Sequence, residues 1–235
     1  MRKLFLPLMF LPTVFCCACN PLCLEGSGPH EDERRELKMF SSIEVDIPVD
    51  VVIHNGASSE VKIFAQENIL KIITTLVSNG KLHIDANRCF ESDEPIRIEI
   101  HTSDLSKLEL NGSGSITVAD TFQVKDISLK INGSGTIEAR MIASEINSAI
   151  SGSGILTLIG SANDQQAEVS GSGEIDASLL PCNQADAELS GSGSIHLYAL
   201  EKIRADISGS GNIFYKGNPD VKSDISGSGK VISNN

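Results

Sequence analysis

The sequence predicts an all-β fold: a parallel β-helix-like solenoid with coils of about 19 residues and one short helix near its N-terminal part. From residue 112 onward the tripeptide Gly-Ser-Gly occurs seven times at nearly constant spacing, and apolar residues recur at set distances on both sides of it. Aromatic residues make up only 4% of the chain and Trp is absent, so the core must be built from Ile, Leu, Val and Ala. Such a repeat cannot bury its apolar face alone and is stabilised by stacking on its neighbours.

The chain begins with the features of a bacterial export signal. Arg2 and Lys3 form a short basic start, and the apolar stretch that follows, residues 4–14, is too short to span a bilayer as a helix. Small residues directly before Cys19 resemble a lipobox, in which the cysteine carries a diacylglycerol and becomes the new N-terminus. We predict a lipoprotein signal peptide over residues 1–18 and lipidation of Cys19, with an ordinary secretory signal as the alternative.

Four of the six cysteines, at positions 16, 17, 19 and 23, lie in or near this leader. Cys17, and after it Cys16 or Cys23, are the alternative lipid acceptors. Cys89 and Cys182 lie in the folded part, where a disulfide between them and two separate thiols are both open. Neither has a His or Cys at ligand spacing, so a zinc site is not expected.

A change of composition marks the start of the folded domain. Residues 19–39 are polar, charged and rich in Gly and Pro, and cannot bury enough apolar surface to offset the entropy lost on ordering. We predict a flexible tether there. From Phe40 onward Val and Ile alternate with polar residues in short runs, as in half-buried strands. The solenoid domain is therefore predicted over residues 40–235.

One segment of the N-terminal part departs from this alternation. Residues 66–76 have apolar spacing compatible with a short helix. Asn79-Gly80 then predicts a tight turn, because both residues tolerate a positive φ. A strand over residues 81–85 is expected to follow that turn.

The repeats occupy residues 105–235. The residue two positions before the first glycine of each tripeptide and the residue four positions after it are apolar in all seven copies, which predicts two stacked ladders of core side chains. Four positions before that glycine the side chains become small toward the C-terminus, which predicts a tapering or flattening core. The tripeptides begin at Gly112, Gly133, Gly152, Gly171, Gly191, Gly209 and Gly227, with steps of 21, 19, 19, 20, 18 and 18 residues.

Each corner needs two glycines, either because φ is positive or because adjacent coils approach closely, and the sequence leaves the two reasons open. The central serines are expected to form a ladder of hydroxyl groups along one edge of the solenoid. Two corners carry Asn before the tripeptide, at Asn111 and Asn132, and match the N-glycosylation sequence. Stacking between coils explains these asparagines better, since the other five corners carry Ser there.

The Asn/Ser-Gly-Ser-Gly-x-Ile repeats, preceded by the segments 40–53 and 67–75, resemble the family described as putative auto-transporter adhesin, head GIN domain, which is common in lipoproteins of Bacteroidetes. The resemblance covers about residues 40–235. It implies a right-handed parallel β-helix-like fold and an adhesin at the cell surface. It brings no catalytic residues and no cofactor.

Charge and motifs exclude several classes of function. The net charge of −12 disfavours nucleic acid, whose binding needs Lys and Arg to neutralise phosphates, and equally disfavours simple adhesion to anionic lipid. Nucleotide-binding glycine motifs, a nucleophile elbow and a His-Glu-x-x-His sequence are all absent from the sequence. The five histidines, at positions 30, 54, 83, 101 and 196, are scattered. We predict no catalytic residue, no cofactor and no metal.

A column of residues three positions before the first glycine is the candidate binding surface. Four consecutive carboxylates at coil spacing repel one another, so this column must face water, cations or a ligand. The alternative is a solvated charged face that discourages association through strand edges. The column comprises Glu109, Lys130, Ala149, Glu168, Glu188, Asp206 and Asp224.

The sequence thus favours a non-catalytic adhesin or surface binding module, lipid-anchored in the cell envelope at the outer membrane, on its periplasmic face or on the cell surface. Its ligand is unknown, a glycan or a protein, and the membrane is contacted through the anchor only. A homo-oligomer is open, because the last coil exposes strand edges. One alternative is a carbohydrate-active lyase or hydrolase, which requires a groove with Arg or Lys beside clustered acids. The other is an envelope scaffold or sensor that binds another protein.

Overall fold

The computed structural model describes residues 23–235. Twenty strands and one helix succeed one another in this part of the chain. The first elements are β1 (Leu24–Glu25), β2 (His30–Glu36), β3 (Ser42–Val45), β4 (Asp50–Asn55), β5 (Glu60–Gln66), α1 (Glu67–Leu70), β6 (Ile73–Ser78), β7 (Lys81–Ala86), β8 (Phe90–Glu91) and β9 (Arg97–Thr102). The repeats follow as β10 (Lys107–Gly112), β11 (Ser115–Val118), β12 (Phe122–Gln123), β13 (Asp126–Gly133), β14 (Thr136–Gly152), β15 (Ile155–Gly171), β16 (Glu174–Gly191), β17 (Ser194–Gly209), β18 (Asn212–Lys216), β19 (Asp220–Gly227) and β20 (Lys230–Ser233).

The repeats form the predicted all-β solenoid, with about seven turns and parallel pairing from coil to coil. Segments that lead into each Gly-Ser-Gly corner make one sheet, here the pre-turn sheet, which runs from β6 through β7, β3, β10 and β13 to β19. Segments that leave the corners make the post-turn sheet, which ends at β20. The inward side chains of both sheets share one apolar core, as the two predicted ladders require.

The two glycines of a corner serve different purposes, which the sequence left open. At Gly133 φ is +136°, a region that favours glycine, and a Cβ there would also overlap the carbonyl of Gly112 in the preceding coil. Gly135 is buried, and a Cβ on it would overlap Leu110 of the core and the carbonyl of Gly114. From the second corner onward the first glycine thus satisfies both conditions, and the second glycine permits close approach of the coils.

The central serines are exposed in all seven corners, as predicted. Their backbone amides bond the corners to one another. The amide of Ser134, for example, donates to the carbonyl of Gly112 at 2.9 Å, and the amide of Ser153 to that of Gly133 at 2.8 Å. The hydroxyls therefore remain free to face solvent along the edge.

The predicted flexible tether over residues 19–39 is wrong for much of the part that the structure describes. Strand β2 pairs antiparallel with β5 along its whole length, from His30 opposite Gln66 to Glu36 opposite Glu60. Lys62 lies 2.9 Å from Asp32 across this pair. Backbone hydrogen bonds and cross-strand charges stabilise such an edge strand without apolar burial, so the polar composition of the segment does not predict the strand.

The predicted helix over residues 66–76 is confirmed only in its first turn. The chain leaves α1 after Leu70, and residues from Ile73 onward form β6. Their β-branched side chains suit a strand, and β6 pairs antiparallel with β7. The turn between them is the predicted one, with positive φ at Asn79 and Gly80.

The cysteines pair differently from either expectation. Cys23 forms a disulfide with Cys89, next to the short parallel pair of β1 and β8. Cys182 is free and buried in the core. The bond closes a loop of 66 residues, and its partner could not be found from spacing because β1 is brought beside β8 only by the fold. Among residues 23–235, no helix has the length and apolar character needed to cross a bilayer.

Candidate binding groove

The candidate column lies on the outer surface of the pre-turn sheet, here called the polar face. Strand pairing places Glu168, Glu188, Asp206 and Asp224 opposite one another in consecutive coils. Parallel strands lie about 4.8 Å apart, so each carboxylate has a like charge as its neighbour on at least one side. The predicted ladder of four carboxylates is therefore formed.

The N-terminal half of the polar face is neutralised by basic side chains. Lys107 Nζ lies 2.7 Å from Glu109 Oε2, and Lys130 Nζ lies 4.0 Å from the other carboxylate oxygen. The hydrogen bond from Lys107 holds the pKa of Glu109 below its usual value. In the next coil toward the N-terminus, Lys81 donates to Glu44 at 2.8 Å, which raises the pKa of that lysine.

The C-terminal half keeps most of its carboxylates unpaired. Arg204 lies 3.2 Å from Asp206. Within the described residues, Glu168, Glu188 and Asp224 make no ion pair closer than 4.0 Å. Negative potential is therefore concentrated between the fourth and seventh corners, where a ligand with cationic or hydrogen-bond-donating groups would be attracted.

A groove of about 370 Å³ runs over this part of the polar face. Lys130, Glu168, Asp186 and Arg204 line it, together with the amides of Asn147 and Gln166. A second, more open depression of about 500 Å³ continues it past the serines that precede the corners, as far as Ser226. Carboxylates, amides, hydroxyls and two cations thus share one elongated surface.

The groove follows from the small side chains beneath it. The column four positions before each corner points inward, and in these coils it carries Ser148, Ala167, Ala187 and Ala205, all buried. These small side chains lie directly beneath the groove, where the sequence predicts a tapering or flattening core. On the outer side, Ala149 leaves a gap between Lys130 and the first unpaired carboxylate.

A ladder of side-chain amides begins the polar face. Asn132 Nδ2 donates to Asn111 Oδ1 at 2.7 Å, and Asn111 Nδ2 donates to Asp46 Oδ1 at 2.6 Å. These bonds run from coil to coil and confirm stacking as the reason for the two asparagines. Both side chains are engaged within the sheet.

Glu44, Asp46 and His83 form a cluster that the sequence did not predict. Their ligand atoms lie within 4.8 Å of one another, and two carboxylates with an imidazole suit a transition-metal ion. The protein's own donors occupy the same atoms, however: Lys81 and His83 lie 2.8 Å and 3.2 Å from Glu44 Oε2. A cation would have to displace the lysine. Only the register between β3 and β7 brings these residues together, which no spacing in the sequence reveals.

The other histidines lie on the post-turn sheet or near its N-terminal edge. His54 and His101 stack with ring centroids 5.2 Å apart, and His54 Nδ1 lies 3.5 Å from Asp120. His196 stacks on Phe214 at 4.7 Å. Stacked rings of adjacent strands cover each other's faces, which is a structural arrangement. None of these three histidines lines the groove.

The predicted lipid acceptor Cys19, with Cys16 and Cys17, lies outside the described residues. Cys23 is excluded as the acceptor, because its sulfur is bonded to Cys89 and could not also carry a lipid. The remaining thiol, Cys182, is 1% exposed, and burial raises its pKa to about 12. An inert buried thiol of this kind is structural.

The sequence and the fold both have known relatives. A family model described as putative auto-transporter adhesin, head GIN domain, matches residues 39–219. A search of curated proteins found no match.

Solved structures share the fold at low sequence identity. A putative adhesin from Bacteroides fragilis has a TM-score of 0.82 and 22% identity, covering 89% of this chain and 99% of its own. A putative adhesin from Parabacteroides distasonis has a TM-score of 0.76 and 21% identity, with the same coverage. A putative lipid binding protein from Parabacteroides distasonis has a TM-score of 0.76 and 24% identity, covering 90% and 99%.

Proposed function

The chain belongs to the head GIN domain family of putative auto-transporter adhesins, and from this premise we propose that it is a non-catalytic binding module of the cell envelope. The groove on the polar face is its ligand site. The observation that carries the proposal is a groove on which several carboxylates, the amide of Gln166 and the hydroxyls of the serines before the corners have no side-chain partner among the described residues. Its ligand is a glycan or protein segment that offers hydrogen-bond donors or positive charge.

The character of the groove supports binding through many weak contacts. It extends over several coils and holds no deep pocket among its described residues. Charge-assisted hydrogen bonds to carboxylates are roughly twice as strong as neutral ones. Glu168 and Glu188, in adjacent coils, are therefore expected to contribute most to affinity.

A glycan and peptide array tests this site. We expect the protein to bind a subset of ligands, and the variant Glu168→Gln with Glu188→Gln to lose at least about ten-fold in affinity, which corresponds to 1.4 kcal/mol. Glu201→Gln is the matched control, since Glu201 is exposed but lies outside the groove. Equal loss in the control, or binding unchanged in the double variant, would place the ligand elsewhere.

We further propose that the protein is anchored by a lipid on Cys19 at the outer membrane. Cys23 is bonded to Cys89, so only three residues, 20–22, lie between the anchor and the folded domain, a path of four residue-to-residue steps. A fully extended chain spans at most about 3.6 Å per residue, which limits this separation to about 14 Å. The N-terminal end of the solenoid then lies close to the bilayer, and the groove coils lie farther away.

Incorporation of labelled palmitate tests the anchor. The label should be lost in Cys19→Ala and retained in Cys17→Ala. Loss in Cys17→Ala alone would make that residue the acceptor. Label retained in both variants would contradict anchoring at either position.

The alternative, a carbohydrate-active enzyme, has one observation in its favour. The groove contains Lys130 and Arg204 together with several acidic residues, as the enzyme hypothesis requires. One experiment distinguishes the binding module from the enzyme. Each array ligand that binds is incubated with the protein and the products are analysed: intact ligand supports a binding module, and cleavage supports the enzyme.

A further inference from the structure

The C-terminal end of the solenoid leaves two strands unpaired on one side within residues 23–235. β19 pairs only with β17, and β20 only with β18. Ile225 of β19 is 40% exposed, whereas Ile207 and Leu189, in the same column of the two preceding coils, are 3% and 1% exposed. The difference shows how much apolar surface a further layer would bury at this end.

The N-terminal end is protected against such pairing. Its outermost strand on the post-turn sheet, β2, carries six charged residues among seven, a composition that blocks edge-to-edge association. Arg35 of β2 also donates to the carbonyl of Ile73 and the hydroxyl of Thr75 in β6, the outermost strand of the pre-turn sheet. Stacking of one copy's C-terminal end on another's N-terminal end is therefore disfavoured.

The exposed strand β19 is complementary to itself. When two copies are placed antiparallel about Ser223, Val221 lies opposite Ile225, and both point toward the core side. Lys222 lies opposite Asp224, and both point outward. The two-fold axis makes each of these contacts occur twice, giving two apolar pairs and two ion pairs.

Neighbouring registers lack this match. Moving the axis to Lys222 places that lysine opposite its own copy and Asp220 opposite Asp224. Moving it to Asp224 places that carboxylate opposite its own copy. Like charges directly opposite one another destabilise a strand pair. Of these three registers, only the axis at Ser223 places opposite charges across from one another.

We propose that the protein forms a two-fold symmetric dimer in which the β19 edges of two copies pair antiparallel about Ser223. The pre-turn sheet becomes continuous across the dimer, and the exposed Ile225 is covered. Ten strands of each copy then stack in line, so at about 4.8 Å per strand the two N-terminal ends lie about 90 Å apart. Because the N-terminal ends are blocked, association stops at two copies.

Sedimentation equilibrium of the full exported protein in mild detergent, over a range of concentrations, tests the dimer. The wild type should follow a monomer–dimer equilibrium. In the variant Lys222→Asp, the new carboxylate of each copy lies opposite Asp224 of the other copy. This repulsion should raise the dissociation constant of the dimer at least about ten-fold. Adding Asp224→Lys to that variant restores both ion pairs with their charges exchanged, and should restore the dimer.

Lys202→Asp is the matched control, because it makes the same charge change on β17, away from the edge. It should leave the equilibrium unchanged. Circular dichroism of each variant shows whether it folds. If Lys222→Asp does not fold, Ile225→Glu, which also places a charge on the exposed edge, is used in its place. A wild type that stays monomeric at all concentrations overturns the proposal. So does a dimer that Lys222→Asp and Ile225→Glu leave intact, or one that the exchanged pair fails to restore.

Discussion

Replacing Gly154 with Ala tests the role of the second corner glycine. A Cβ at this position would lie 2.7 Å from Ile131 Cγ2 and 2.8 Å from the carbonyl oxygen of Gly135, both closer than van der Waals contact. The residue lies in an interior coil, so neither neighbour can move away without disturbing the stack. Overpacking of this kind costs about 1–3 kcal/mol, and we expect about 2 kcal/mol for Gly154→Ala. For a chain of this size that is a fall in Tm of about 4–8 °C.

Thermal and urea unfolding followed by circular dichroism measure this loss. Ser153→Ala is the control, because Ser153 is exposed in the same corner and its change should stay within about 0.5 kcal/mol. The reasoning is refuted if Gly154→Ala is as stable as the wild type. It is equally refuted if Ser153→Ala loses as much.

Three further predictions concern the cysteines and one ion pair. Replacing Cys23 and Cys89 together by Ser should lower the free energy of unfolding by up to about 4 kcal/mol, from the chain entropy of the 66-residue loop, and a variant of unchanged Tm would contradict this. Cys182, buried with a pKa of about 12, should react with a thiol reagent only as fast as the protein unfolds, and stoichiometric labelling of native protein would refute that. Glu109 has a folded pKa lowered by Lys107, so its contribution to stability is present above its unfolded pKa and is lost as pH falls through the folded value. Glu109→Gln should therefore cost stability at neutral pH and progressively less as pH falls through the folded pKa of Glu109; a cost that does not change as the pH is lowered, measured by urea unfolding, would exclude the ion pair as the cause.

The dimer proposal and the binding proposal are separable by these measurements. The β19 edge lies at one end of the polar face. The first depression of the groove, which holds Glu168 and Glu188, lies over earlier coils, and only the second depression reaches β19, at Asp224 and Ser226. Variants of Glu168 and Glu188 should leave the monomer–dimer equilibrium unchanged. Variants of Lys222 should leave affinity for a single array ligand unchanged.

Much of the solenoid could be predicted from the sequence because the same pattern of residues recurs in every coil. Seven corners with apolar residues at constant offsets predicted the coil length, both core ladders, the exposed serines and the column that became the polar face. Each of these depends on near neighbours in the sequence and on the same position one coil away. A residue that departs from the pattern in one copy does not hide it, because the other six copies still show it.

The N-terminal part has no such repetition, and there the predictions were less accurate. Residues 30–36 looked like tether because their composition is polar, yet β5 offers them a free edge and complementary charges. The helix at Glu67 ended early because β7 provides a partner for the residues that follow. Both outcomes depend on what lies beside the segment in space, which local propensity does not contain.

By itself the sequence determined the architecture, because stacking identical corners leaves only one way to bury the Ile, Leu and Val columns. Tertiary structure alone decided which cysteines meet, which carboxylates on the polar face are neutralised and where the groove lies. Those outcomes arise from side chains dozens of residues apart, such as Lys81 beside Glu44 or Cys23 beside Cys89. Their distances are set by strand register and by small differences in core volume, and neither is encoded in a spacing that can be read along the chain.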